Sequence, residues 1–101
     1  MKNLRYILFF IFCLSFFGTL FGQNAQEYFD IGYKYDMNKD YKSAIIYYTK
    51  AIKLNPNLEK VFFNRACAKE DSNDIYGAFS DYDEAIRLNN KYLNAYYNSY
   101  L

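Results

Sequence analysis

The stretch AIIYYTKAIKLNP, Ala44 to Pro56, returns further along as AFSDYDEAIRLNN, Ala78 to Asn90. Ala44 pairs with Ala78, Tyr48 with Tyr82, Ala51 with Ala85, Ile52 with Ile86, Leu54 with Leu88 and Asn55 with Asn89, each pair 34 residues apart. A fixed period of that size marks a repeat array. Within a copy, Ala44, Tyr48, Ala51 and Ile52 are spaced three and four apart, which places them on one face of a helix. The repeated unit is helical.

Ahead of the first copy, Tyr28, Ile31, Gly32 and Tyr35 again fall at helical spacing. Asn38-Lys39-Asp40 breaks that pattern, and Asp40 is placed to cap the next helix by accepting from its free backbone N–H groups. Asn55-Pro56-Asn57 closes the unit, because Pro56 disfavours helical geometry at Asn55 and cannot continue the hydrogen-bond ladder. Ser72-Asn73-Asp74 forms the corresponding inner turn of the second unit. The pattern predicts helices near residues 25–37, 41–54, 58–71 and 75–88, a fifth from about residue 91, and no strand. Small residues such as Gly32 and Ala51 suit close helix crossings, and Tyr48 and Tyr82 fill the space between crossings.

These residues resemble the tetratricopeptide repeat family, whose pattern is an aromatic, Leu-Gly and Tyr on the first helix, then Ala, an aromatic and Ala on the second, with a closing Pro. The first unit supplies Tyr28, Ile31-Gly32, Tyr35, Ala44, Tyr48, Ala51 and Pro56. The second supplies Phe62, Ala66, Ala78, Tyr82 and Ala85, and departs from the pattern with Arg65, Lys69 and Asn90 where an aliphatic, Tyr and Pro are usual. The resemblance implies an all-α fold in which helix-turn-helix repeats stack as an α-solenoid, each burying its apolar stripe only against a neighbour. Residues 25–58 form the first repeat, 59–92 the second, and 93–101 the start of a third repeat or a terminal helix. Tyr92, Leu93, Tyr96, Tyr97, Tyr100 and Leu101 leave that end apolar, so a cover is expected: further repeats of a longer solenoid scaffold, which the unit-like start of this segment favours, self-association through the C-terminal helix, or folding back onto the second unit.

The resemblance also implies a concave groove lined by first helices that holds segments of partner proteins, in a module that is a binder or scaffold. Phe29, Tyr33 and Met37 on the first unit and Phe63, Asn64 and Cys67 on the second face that groove, with Gln26 and Glu70 beside them and Tyr97 extending the row. Rigid aromatic rings bury much area at little entropic cost, which suits recognition. The competing reading is that the aromatic stripe is inter-helix core. One branch of the family grips a partner's terminal carboxylate with Lys, Asn and Arg. Phe29 and Tyr33 stand where that branch needs polar side chains and only Asn64 resembles its set, so that activity is not carried over.

Residues 1–22 read as a signal peptide: Lys2 and Arg5 lead, Tyr6 to Phe21 is almost unbroken hydrophobe, and Gly22 is small. The expected location is the periplasm or the cell exterior, the alternative being anchorage by an uncleaved N-terminal helix. Cys13 follows Ile11 and Phe12 rather than small residues, which argues against lipidation. Losing Lys2 and Arg5 from twelve basic side chains leaves ten against eleven acidic ones, so the mature surface attracts no polyanion and neither nucleic acid nor membrane is an expected partner. Cys67 is then the only thiol and reads as a small packed side chain. There is no histidine, no glycine-rich phosphate loop and no cysteine cluster, so no catalytic residue, metal site or cofactor is expected. Asp81 and Glu84 are spaced as helix neighbours, and they read as a solvated face rather than a catalytic pair.

Overall fold

The computed structural model describes residues 24–91 and Leu93; the leader reading of residues 1–22, Tyr97 and most of the terminal segment 93–101 lie outside them. Four helices follow one another, α1 (Ala25–Met37), α2 (Tyr41–Leu54), α3 (Glu59–Asp71) and α4 (Ile75–Leu88), and no strand occurs among the described residues. Only the start of α3 differs from the periodicity, by one residue. Leu58 sits at its N-cap without a side-chain bond. The fold is all-α, of the tetratricopeptide-repeat type.

Three of the four helix starts are capped by a side chain. Asn24 accepts from the Glu27 N–H at 2.9 Å, Asp40 from Ser43 at 3.2 Å and Asp74 from Gly77 at 3.0 Å, which satisfies donors that a helix cannot pair internally. The ends repeat as well. Asn55 and Asn89 adopt extended backbone at the C-caps and accept from the N–H two residues on, at 3.1 and 3.2 Å. Exposed Pro56 lies between Asn55 and α3. In the inner turns Lys39 and Asn73, 34 residues apart, both take positive φ, 62° and 74°, which turns the chain back sharply.

α1 lies antiparallel against α2, and α3 against α4, with α3 also packed on α2. Ala44, Ala51, Ala66, Ala78 and Ala85 are fully buried, and Tyr48 and Tyr82 are buried between them. Gly32 has a definite reason to be glycine: a Cβ there would lie 2.7 Å from Cδ1 of Tyr48 and 3.2 Å from the Ala44 carbonyl oxygen. One core cluster unites Ala44, Tyr48 and Ala51 of α2 with Val61 and Ala68 of α3; a second gathers Ala66, Ala78 and Tyr82. Stability thus comes from stacking one hairpin on the next.

Candidate protein-binding face

α1 and α3 are the first helices of their hairpins, and Lys60 ties them together by donating to Gln26 Oε1 at 2.7 Å. Gln26 in turn donates to Asp30 at 2.9 Å, and the Lys60 ammonium sits 4.7 Å from the centre of the Phe29 ring. Phe29 is half-buried, with ring centres of Tyr33 at 6.2 Å and Tyr48 at 5.7 Å. One period later Phe63 repeats the contact, edge-on to Tyr82 at 5.5 Å. The two ends of the stripe differ. Tyr33 is 47% exposed and Met37 65%, whereas Phe29 and Phe63 rest against the core clusters. Asn64 and Cys67 are half-buried, and Pro56 stands apart from this row in the turn before α3.

Beneath the row, two buried phenols hold the helices in register. Tyr48 donates to Asp36 at 2.9 Å and Tyr82 to Glu70 at 2.7 Å, the same bond one period on. Burial, together with these carboxylate acceptors, pushes both phenol pKa values far above the ordinary tyrosine range. Burial also raises Asp36, against the lowering effect of the Tyr48 bond. Cys67 lies 3.4 Å from the Tyr82 hydroxyl, and its burial raises the thiol above its usual value. It is a protonated, packed thiol at neutral pH and a poor nucleophile.

The reading of Asp81 as part of a solvated face is overturned. Asp81 is only 3% exposed and accepts from Arg65 Nε and Nη2, each at 2.7 Å, while Lys69 Nζ lies at 3.0 Å. Glu84 instead pairs with Arg87 nearer the surface. Arg65 Nη1 also donates to Thr49 Oγ1 at 3.1 Å, so the cluster links the second hairpin to the first. The signal was in the repeat. Ile31, Tyr35 and Tyr47 become Arg65, Lys69 and Asp81 34 residues later, an apolar trio exchanged as a unit for two cations and one anion.

A hollow of about 470 Å³ beside the start of α1 is lined by Asn24, Ala25, Gln26, Leu54, Asn55 and Leu58, none of which titrates near neutrality. Among the described residues no group of three or more His, Cys, Asp or Glu side chains could hold a metal, and no helix is long and apolar enough to cross a membrane.

Residues 25–58 match the family described as Tetratricopeptide repeat. The α1–α2 hairpin is a tetratricopeptide repeat. Serine/threonine-protein phosphatase 5 of Rattus norvegicus is 38% identical over 81 residues, 79% of this chain and 16% of that protein. The Homo sapiens phosphatase 5 is 42% identical over 60 residues, 58% of this chain and 12% of that protein. Stress-induced-phosphoprotein 1 of Caenorhabditis elegans is 32% identical over 72 residues, 71% of this chain and 22% of that protein. The chain therefore spans less than a quarter of the length of these relatives, and the likeness concerns a tetratricopeptide-repeat segment of this chain, not their whole activity. Repeats of this kind are protein-interaction modules, which is the coarse function of the segment.

Proposed function

We propose that this chain is an exported, non-enzymatic module that holds a segment of a partner protein against the row Phe29, Tyr33, Met37, Phe63, Asn64 and Cys67, with Tyr97 extending it. The α3–α4 hairpin serves as the second repeat, and residues 1–22 direct export to the periplasm or cell exterior before removal. One observation carries the binding reading: Tyr33 and Met37 are large apolar side chains open to solvent, in line with half-buried Phe29, over whose ring Lys60 of α3 sits. Their burial under a partner would contribute about 1.5–3 kcal/mol each at full burial. Lys60 is the one cation in contact with Phe29 among the described residues, so affinity should arise from ring area rather than charge.

Panning a displayed peptide library on the immobilised full chain tests this. The expected hits are apolar or aromatic segments that survive 0.5 M salt and lose at least tenfold in affinity on Tyr33→Ala or Met37→Ala, with unchanged circular dichroism. Hits that are acidic and released by salt alone, or indifferent to both substitutions, would refute it. Export is read separately, by sequencing the N-terminus after expression in a bacterium with a matching secretion system. A product beginning at or near Gln23 is expected, and a cytoplasmic product retaining Met1 counts against the leader.

A further inference from the structure

The period that carries the first hairpin onto the second also shows which sides of the hairpins meet. On α3, Val61 and Ala68 are completely buried against Ala44, Tyr48 and Ala51 of α2, and Arg65 reaches Thr49. One period earlier these positions are Glu27, Lys34 and Ile31 on α1. That side of α1 is accordingly turned away from the second hairpin, at the outer end of the stack. Tyr35 and Tyr47 continue it, with their rings stacked 5.5 Å apart at 12°. Ile31, Tyr35 and Tyr47 belong to neither core cluster, and Glu27 and Lys34 are exposed.

We infer that this outer face joins a second copy of the same chain across a two-fold axis, with the two α1 helices antiparallel about Ile31. Charge complementarity argues for the arrangement. Glu27 lies one turn before Ile31 and Lys34 about one turn after it, so reversing one stripe against the other sets each Glu27 beside Lys34 of the other copy. Ile31 then meets its own counterpart on the axis, as an isologous interface requires, and the stacked rings of Tyr35 and Tyr47 flank it from both copies. Continuing the stack by another hairpin in the same register is the poorer solution. Positions 27 and 34 would occupy the places that Val61 and Ala68 fill at zero exposure, burying a carboxylate and an ammonium without partners. Two-fold pairing leaves both charges at the rim, each against its opposite. The dimer would carry two copies of the Phe29 row, which would make it bivalent toward a repeated or dimeric partner.

The test is sedimentation velocity on the full chain across a concentration series, alongside circular dichroism. The wild type is expected to form dimers reversibly. Glu27→Lys or Lys34→Glu alone should weaken association about tenfold or more, because both contacts per dimer turn repulsive. Mixing these two variants should restore a dimer, since one chain then offers two lysines and the other two glutamates, and the double reversal in one chain should restore it as well. Ile31→Arg, which places on α1 the residue the second hairpin carries there, should abolish the dimer and leave helicity unchanged. A wild type monomeric at every concentration, or an association insensitive to both single reversals, overturns the inference. So does a monomer destabilised by Ile31→Arg, because residues 1–23 of the same chain would then be the cover.

Discussion

Replacing Asp81 by alanine removes the anion on which two cations converge. Three charge-assisted contacts go at once, the two from Arg65 at 2.7 Å and the one from Lys69 at 3.0 Å. The cations left behind have side chains only 15% and 18% exposed, so water cannot fully replace the carboxylate. Removing one partner of a buried pair costs about 3–5 kcal/mol, and the partial access of both cations brings the expected loss to about 2–3 kcal/mol. A domain of this size has a total stability of roughly 5–10 kcal/mol, so the urea midpoint followed at 222 nm should fall by about a fifth or more. A second variant separates charge balance from packing. Arg65→Met, Lys69→Met and Asp81→Leu together should recover most of the loss, because an apolar set of similar volume needs no desolvation. An Asp81→Ala loss below about 1 kcal/mol, or a triple variant no better than the single one, would show that the cluster does not hold the hairpins together.

Gly32→Ala should destabilise by up to about 2 kcal/mol in the same assay: the new methyl meets a Tyr48 ring fixed by its bond to Asp36, and overpacking of about 1–3 kcal/mol outweighs the roughly 1 kcal/mol that alanine gains as a helix former. A neutral or stabilising result means that the ring yields. In an alkaline titration followed at 295 nm, Tyr48 and Tyr82 should stay neutral at pH values where a free tyrosine phenol, with a pKa of about 10, is ionised. A phenol whose folded pKa is raised contributes stability that is complete below the unfolded value and is lost as pH rises above it. The fold should therefore weaken above about pH 10, with the two missing phenolates appearing only on unfolding. Ionisation of every described tyrosine near pH 10 in a still-helical chain would contradict both buried hydrogen bonds.

The sequence by itself determined the helices and the order of packing. Their ends lie in local chemistry: Asp40 and Asp74 as caps, Asn55 and Asn89 as stops, and a period of 34 that places small residues where helices cross and tyrosines where they do not. These signals need only neighbours a turn or two away. For the candidate face, counting along the first helices named Phe29, Tyr33, Met37 and Phe63 as positions on one stripe and went no further. Whether each ring is covered depends on what arrives from another helix, and here Tyr48 and Tyr82 cover Phe29 and Phe63 in part while Tyr33 and Met37 stay open. Tertiary structure alone decided the fate of the carboxylates. Asp36 and Glu70 became acceptors for phenols twelve residues away, and Asp81 became the buried anion for cations on the preceding helix, sixteen and twelve residues distant. An aspartate on a helix face is read locally as solvated, because burying it alone is costly. Only the approach of Arg65 and Lys69 reverses the sign of that cost, and their approach is a property of the packed hairpin rather than of the residues around Asp81.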